Sequence, residues 1–496
     1  MAMRQMFTAG TAVALIAAAA VPGAAQTRPA GSQVAPAQPI TAAERQQGQQ
    51  ISQELIQQFG GAWTGPQVPY VTRVARTIAV QSGLSASPSD FTVTVLDSPV
   101  DNAFATPGGY IYVTRGLLAL MNDEAELAGV LGHEVGHVAA RHSQSRQRTA
   151  TRNSILGVLG QVLVGAVAGD SQLGQLLNRG ISTGAQLATL GYSRGQETQA
   201  DQLGVRYLNG ARMDTDALSS MLASLAAQNT LNGQISGQTR SVPAFASTHP
   251  DPQARVRTAL NDATKVGGTQ YPRNRDAFLT AIDGLMYGDN PRQGVIQGRE
   301  FLHPDLRIAF TAPQGFTMSN GTQAVSITGG NVQAQFTTRA FTGSLDSYAR
   351  AALGDLLGQN GQVPQTAVQR TTVNGTPAAY LTVRTTAENR QLDVTIFAYQ
   401  TAPDRAFHFA ILAPAGQGIG GASTLVQSFR TLTAAQAAQI KPRYVRVVTV
   451  RANDTVQSLA GRMAFDDYKV ERFLVLNGLA SNAAVRAGDR VKIVTY

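Results

Sequence analysis

The sequence His133-Glu134-Val135-Gly136-His137 constrains the fold more than any other segment of this chain. It lies in a stretch of helical apolar periodicity, and residues four apart on a helix point to the same side. Two imidazoles placed in this way can bind one zinc ion, and Glu134 can act as general base toward a metal-bound water. Gly132 and Gly136 are poor helix formers, so we expect another backbone or a substrate to pack closely here.

A second segment, Ser193 to Asp201, supplies candidates for the rest of the site. A catalytic zinc takes three protein ligands, and because the chain contains no cysteine the third must be His, Asp or Glu. Glu197 and Asp201 lie four residues apart in a helical pattern. Glu197 can bind the metal, and Asp201 can accept the other ring N–H of a ligand histidine. Such a pair alone usually marks a solvated helix face, but about sixty residues after the first motif we interpret it as part of the site.

Three of the six histidines lie close together, at positions 133, 137 and 142. His142 is five residues past His137, which places it off the ligand face of a continuous helix. We therefore predict that His142 is structural or exposed to solvent.

Taken together, these segments resemble metallopeptidase family 48, the family of the HtpX, BepA and CAAX prenyl protease types. Besides the first motif, the resemblance rests on Ser-Arg-x-x-Glu-x-x-Ala-Asp-x-x-Gly at 193–204, on Asn102–Ala105 with Gly108–Val113, and on Thr248-His249-Pro250 with Arg255 downstream. It covers roughly residues 41 to 265. It implies a mainly helical zincin-type (gluzincin) peptidase domain with a small β-sheet. This chain differs from the integral-membrane members because no later segment is long and apolar enough to span a bilayer.

The resemblance also implies roles for individual residues. One zinc ion per chain would be held by His133, His137 and Glu197, with Glu134 as the catalytic base and with Asp201 and Arg255 supporting the ligands. His249 would either occupy the open coordination position at rest or stabilise the oxyanion; the alternative is a loop cap before Pro250. The strand formed by Tyr110, Ile111, Tyr112 and Val113 would offer an edge to an extended peptide substrate, and an internal sheet strand is the alternative.

The length of 496 residues and the shifts in composition predict an α+β multidomain protein. We assign residues 1–25 to a cleaved signal peptide, with a membrane anchor as the alternative, and residues 26–40 to a disordered linker. The peptidase domain covers 41–267 and includes a glycine-rich stretch, 155–169, which we interpret as a buried helix or a flap. A linker at 268–300 precedes a sandwich-like α+β domain at 301–437, to which the sequence assigns no role.

The last segment, 443–496, is predicted to form a βααβ unit that resembles a LysM module. The likeness lies in Asn453-Asp454-Thr455-Val456, in Leu476-Asn477 and in Gly488-Asp489-Arg490-Val491-Lys492-Ile493. LysM modules bind N-acetylglucosamine polymers, so the resemblance implies attachment to peptidoglycan. A small packing domain without a ligand is the alternative.

These features predict a periplasmic zinc endopeptidase that cleaves unfolded, misfolded or misassembled envelope proteins. The outer-membrane assembly machinery is a further candidate partner. The net charge of +9 is spread without a long Lys/Arg run, which argues against a nucleic-acid partner. Two other functions stay open: a chaperone or scaffold with a latent zinc site, and a peptidoglycan-peptide hydrolase.

Overall fold

A computed structural model describes residues 37–143, 192–236, 245, 248–357, 365–387 and 390–496. The predicted signal peptide, residues 26–36 of the predicted linker and the glycine-rich stretch 155–169 lie outside these ranges. Among the described residues, no helix has the length and apolar character needed to cross a membrane.

The N-terminal elements form a small sheet next to two helices. They are α1 (Ala42–Gln58), α2 (Val68–Ala79), β1 (Thr92–Leu96), β2 (Ala103–Thr106) and β3 (Tyr110–Thr114). Helix α1 begins with a capping box, in which Thr41 and Glu44 satisfy each other's backbone N–H groups. Helix α2 buries Val71, Val74 and Ile78, which share one face, so the apolar spacing of the sequence determines its packing.

Strand β3 lies in the middle of the three-stranded sheet, whose order is β1-β3-β2. It pairs in parallel with β1 and antiparallel with β2, so both of its backbone sides are occupied. The prediction that Tyr110–Val113 offers an edge to a peptide is therefore wrong. The physical reason is the tight turn at Gly108, where φ is 91°, which folds residues 103–106 back onto β3 as a strand of their own. Among the described strands, β2 lies at the edge of this sheet nearer the next helices.

In the described part of the next region the helices are α3 (Arg115–Leu120), α4 (Glu124–Ala139), α5 (Arg194–Gly210), α6 (Ala217–Ser236) and α7 (Pro252–Val266). Asp123 caps α4 by accepting a hydrogen bond from the Glu126 N–H at 2.8 Å. A Cβ at Gly136 would lie 3.1 Å from the Leu203 Cβ, and one at Gly132 would lie 3.5 Å from the Gly204 Cα. The glycines of α4 therefore allow α5 to pack closely, as we expected from their position beside the motif.

The next region is layered. Its elements are α8 (Arg275–Ile282), β4 (Met286–Tyr287), β5 (Val295–Gln297), β6 (Glu300–His303), β7 (Ile308–Thr311), β8 (Thr317–Asn320), β9 (Val325–Gly329), β10 (Val332–Thr338), α9 (Leu345–Leu357), β11 (Gln369–Val373), β12 (Thr376–Ala387), β13 (Arg390–Ala402), β14 (Arg405–Pro414), α10 (Ser423–Gln427), β15 (Arg430–Thr431) and α11 (Ala434–Ala438). Seven antiparallel strands form a sheet in the order β11-β12-β13-β14-β10-β9-β8. Helix α9 packs on one face, whereas α10 and the four-stranded sheet β15-β7-β6-β5 pack on the other. The region is therefore mixed helix and sheet.

The chain ends with β16 (Arg443–Thr449), α12 (Val456–Gly461), α13 (Lys469–Leu476) and β17 (Arg490–Thr495), in the order β-α-α-β. Strand β4 extends this sheet, whose order is β17-β16-β4. Residues 268–300, predicted as a linker, therefore instead provide α8, β4 and β5. The physical reason is that Phe278, Leu279 and Ile282 are completely buried, although Gly, Pro and Asn residues are frequent around them.

A buried lysine joins this C-terminal unit to the residues just before α4. The Lys492 side chain is completely buried. Its Nζ donates hydrogen bonds to the carbonyl oxygens of Ala119, Leu120 and Met121 at 2.7, 3.2 and 2.5 Å. These carbonyls end α3 and have no partners within their own helix. The lysine therefore caps α3 from a distant part of the chain.

We expect Lys492→Met to lower the free energy of unfolding by on the order of 3 kcal/mol, because the Ala119 and Met121 carbonyls lose a donor and only the Leu120 carbonyl keeps another, from Asn122. Urea denaturation measures this change. Lys441→Met, which alters an exposed lysine, is the matched control and should change the free energy by less than about 0.5 kcal/mol. Equal denaturation midpoints for the two variants would contradict the role of Lys492.

Candidate metal centre

Helix α4 carries three of the side chains of the site. His133, Glu134 and His137 are 1%, 2% and 2% exposed, so all three are buried. The Nε2 atoms of the two histidines are 3.0 Å apart, because residues four apart on α4 face the same direction. Burial raises the pKa of Glu134 and lowers that of His137, so the neutral form of each is favoured relative to water.

Helix α5 brings Glu197 and Asp201 to these histidines. It begins with a capping box between Ser193 and Gln196. The two carboxylate oxygens of Glu197 lie 3.4 Å from His137 Nε2 and 3.6 Å from His133 Nε2. Asp201 Oδ1 lies 2.9 Å from His133 Nδ1, on the side of the ring that faces away from the other histidine. The structure thus places Glu197 among the candidate ligands and Asp201 behind one of them.

His249 completes the cluster from the segment before α7. Its Nδ1 lies 3.2 Å from His133 Nε2 and 3.1 Å from Glu197 Oε1. Its Nε2 lies 3.3 Å from Glu134 Oε1. Burial lowers the pKa of His249, but the Glu134 and Glu197 carboxylates outweigh burial and raise it. His249 therefore contacts both the candidate ligands and the candidate base.

The donor set fits a zinc ion. One atom from each of His133, His137, Glu197 and His249 lies within 4.8 Å of the others. Ligand atoms 2.0–2.1 Å from a tetrahedral zinc would be about 3.3 Å from one another. Five of the spacings among these ligand atoms range from 3.0 to 3.6 Å, and all of them lie within 4.8 Å. Three imidazoles and a carboxylate are also ligands that zinc prefers.

Arg255 compensates the negative charge of the site. Its Nη1 lies 2.5 Å from Glu197 Oε2, and its Nε and Nη2 donate to the two oxygens of Asp201 at 2.8 and 2.6 Å. Burial alone would raise the pKa of both carboxyl groups, but their partners lower both values. For Asp201 the main partner is Arg255, and for Glu197 the main partners are His249 and His137. Both carboxylates therefore stay ionised inside the protein.

A model of peptidase family M48 matches residues 67–263, which include the whole cluster. These residues form an M48 peptidase domain. Peptidases of this family are zinc-dependent metallopeptidases, and the four clustered side chains of the M48 domain could hold the ion.

Curated relatives of the M48 domain come from mitochondria and bacteria. The mitochondrial metalloendopeptidase OMA1 of Schizosaccharomyces pombe is 31% identical over 217 residues, which are 43% of this chain and 59% of that protein. The beta-barrel assembly-enhancing protease of Yersinia pestis is 31% identical over 192 residues, 38% of this chain and 37% of that protein. The Escherichia coli K12 protein of the same name is 24% identical over 254 residues, half of each chain. The chain thus spans between 37% and 59% of the length of these relatives.

Two further side chains of the M48 domain support His137, and neither was predicted to do so. His142 Nδ1 lies 2.9 Å from His137 Nδ1, and His142 is only 3% exposed. His142 is therefore structural, one of the two predicted alternatives, and not exposed to solvent, although its contact with His137 was not predicted. The physical reason is that α4 ends at Ala139 and Arg141 adopts a φ of 52°, which turns the chain back toward the site. The Tyr192 ring stacks on the His137 ring, with 3.6 Å between centroids.

His142 in turn contacts α5. Its Nε2 lies 3.0 Å from Gln199 Oε1, and its backbone carbonyl accepts a hydrogen bond from Gln196 Nε2 at 3.4 Å. A signal for these contacts was present in the sequence. Gln199 lies between Glu197 and Asp201 on the first turns of α5, and Tyr192 directly precedes its N-cap.

We expect Arg255→Met to lower the stability of the zinc-free protein by about 3 kcal/mol, because it leaves two buried carboxylates without a counter-charge. Added zinc should restore part of this loss, since the ion neutralises Glu197. Urea denaturation with and without zinc measures both effects. Arg257→Met, which changes an exposed arginine two residues further along α7, is the control. It should neither lower the stability nor alter the response to zinc. A cost that is the same with and without zinc would contradict this interpretation.

Proposed function

We propose that this protein is a zinc-dependent endopeptidase that is held in a latent state by His249. The observation that carries the proposal is the convergence of three imidazoles and the Glu197 carboxylate, with one ligand atom of each within 4.8 Å of the others, directly beside Glu134. The M48 domain and the metalloendopeptidases among its relatives support the same activity.

The residues of the chain divide the chemistry between them. Bound zinc would supply the polarisation of the scissile carbonyl and of the attacking water. Glu134 would take the proton from that water and deliver it to the leaving amine. The buried position of Glu134 suits this task, because burial raises its pKa and so favours proton uptake. Asp201 and Arg255 would keep His133 and Glu197 in place.

Latency is proposed because His249 occupies the fourth corner of the ligand set. A catalytic zinc needs an open position for water, whereas the His249 Nδ1 lies 3.2 Å from His133 Nε2 and 3.1 Å from Glu197 Oε1, within the spacing of zinc ligands. His249 also contacts Glu134 through its other nitrogen. Hydrolysis would therefore require His249 to move away. The same observation favours a second candidate function, a chaperone or scaffold whose closed zinc site rarely cuts.

The proposed substrates are unfolded or misassembled envelope proteins that bind in an extended form. Support for an extended substrate comes from β2, the sheet edge that packs near α4, because a free edge can pair with a peptide backbone of any sequence. Support for envelope proteins comes from the similarity to beta-barrel assembly-enhancing proteases. The outer-membrane assembly machinery is a proposed partner on the same ground.

We further propose a periplasmic location, reached by cleavage of the signal peptide, and attachment to peptidoglycan through residues 443–496. The β-α-α-β order of this unit agrees with a LysM-like module. Cosedimentation of the full chain with purified peptidoglycan sacculi tests the attachment, and sacculi digested with a muramidase are the control. Equal recovery in both would contradict glycan binding.

We expect Glu134→Gln to abolish hydrolysis of casein while zinc binding is retained, because the amide cannot accept the proton of water but leaves the ligands unchanged. Zinc content and casein cleavage are measured for the wild type and the variant. Cleavage by Glu134→Gln at the wild-type rate would contradict the assignment of the base. Zinc in both proteins with no cleavage by either would indicate a closed site, and the His249→Ala variant then separates a latent peptidase from a chaperone.

We expect His249→Ala to increase casein hydrolysis, because it opens the fourth coordination position to water. His303→Ala, which changes a histidine in β6 outside the M48 domain, is the control and should leave the rate unchanged. A lower rate in His249→Ala would assign His249 to oxyanion stabilisation instead. An unchanged rate with unchanged zinc geometry would rule out both roles.

A further inference from the structure

We propose that Gln199 is a positioning residue, which acts through His142 to determine which ring nitrogen of His137 faces the metal. The inference rests on the proposed zinc site and adds to it a device that selects one tautomer of a ligand. Three side chains in sequence form this device: the Gln199 carboxamide, the His142 imidazole and the His137 imidazole. We call them the Gln199 relay.

Successive contacts of the relay connect α5 to the ligand cluster. Gln199 Oε1 lies 3.0 Å from His142 Nε2, and His142 Nδ1 lies 2.9 Å from His137 Nδ1. The remaining nitrogen of His137, Nε2, lies 3.0 Å from His133 Nε2 and 3.4 Å from Glu197 Oε1. The His142 ring therefore contacts Gln199 with one nitrogen and His137 with the other, and the His137 ring contacts His142 with one nitrogen and the ligand cluster with the other.

The polarity of these hydrogen bonds follows from the chemistry of the amide. A carboxamide oxygen only accepts, so His142 must carry its hydrogen on Nε2. A neutral imidazole with its hydrogen on Nε2 has an acceptor at Nδ1, so it accepts the Nδ1–H of His137. His137 is then left with a lone pair on Nε2, which is the form that binds a metal.

The opposite orientation of the amide would prevent metal binding. If Gln199 presented its NH₂ group to His142, every hydrogen bond of the relay would reverse, and His137 would carry a hydrogen on Nε2. Only the orientation with Oε1 toward His142, which the structure has, is compatible with a ligand at Nε2. A single amide thus controls a ligand that is two side chains away.

The two histidines of α4 are supported in different ways. His133 Nδ1 faces the Asp201 carboxylate directly at 2.9 Å, whereas the support of His137 ends in an uncharged amide. The charge balance of the site gives a reason for this difference. Glu197 and Asp201 are both ionised and share Arg255, and Gln199 is half-buried, so a carboxylate in its place would add a third negative charge at a moderate cost. An amide supplies the acceptor without the charge.

Zinc affinity tests the relay in the full-length protein. We expect Gln199→Leu, which removes the acceptor, to weaken zinc binding roughly 10- to 100-fold in a competition titration with a chelator. Gln199→Glu restores an acceptor and should bring the affinity back to within a few-fold of the wild type. Gln202→Leu, which changes another half-buried glutamine on α5, is the matched control and should leave it unchanged. Gln199→Leu with wild-type affinity, or Gln199→Glu as weak as Gln199→Leu, would overturn the proposal.

Histidine ¹⁵N NMR of the zinc-loaded protein gives a second readout that a merely structural role would not change. The wild type should show His142 with its hydrogen on Nε2, and Gln199→Leu should lose this signature while Gln202→Leu keeps it. A hydrogen on His142 Nδ1 in the wild type would overturn the relay. A wild type that takes up no zinc would overturn the proposed function and the relay together, whereas normal uptake in both the wild type and Gln199→Leu would overturn the relay alone.

Discussion

The close contact between α4 and α5 is the constraint on which the site depends. A Cβ at Gly204 would lie 3.1 Å from the backbone nitrogen of His133, and a Cβ at Gly136 would lie 3.3 Å from the Ala200 carbonyl oxygen. At this separation the Glu197 side chain, less than one turn before Ala200, reaches both histidines of α4. The distance between ligands from two separate segments is therefore fixed by backbone packing, which gives a metal site its precision.

The packing of α4 against α5 would be unfavourable in free energy without charged partners for the acidic side chains that it buries. It buries Glu134, Glu197 and Asp201, and ionised groups are expensive to remove from water unless they are paired. Arg255 on α7 supplies the pairing for two of them, which makes α7 a necessary third wall of the site. His249, from the segment that leads into the same helix, contacts the third. Helix α7 therefore neutralises the charge of the site through Arg255, and the segment before α7 closes the site through His249.

The parts of the site that are local in sequence were predictable, and those that depend on tertiary packing were not. The spacing of His133 and His137 and of Glu197 and Asp201 follows from helix geometry alone, and the structure brings these residues together. Arg255 and His249 could be placed only through the family resemblance, because no local pattern relates α7 to α4. The contact of His142 with His137 was not predicted, because a helix end and a positive φ at Arg141 redirect the chain.

The errors in the fold have similar causes. The pairing of β3 on both sides depends on residues 103–106, which are too few to show strand periodicity in the sequence. Residues 268–300 have the composition of a linker, yet they contain short elements whose apolar side chains are buried by distant partners. By contrast, the C-terminal unit carries periodicities long enough for its β-α-α-β order to be predicted, and the structure has this order.

The buried lysine that caps α3 also has a consequence for the order of folding. Lys492 and Ala119 are 373 residues apart in sequence, and closing a loop of this size must precede the contact that rewards it. Contacts of such long range slow folding, because the entropy of loop closure is lost before they form. The corner between α3 and α4 therefore becomes rigid only after the C-terminal unit has docked. During synthesis the chain would contain α4, the helix that carries His133 and His137, before it contained Lys492, which supports the residues just before that helix. A competent active site would therefore form only when most of the polypeptide is folded.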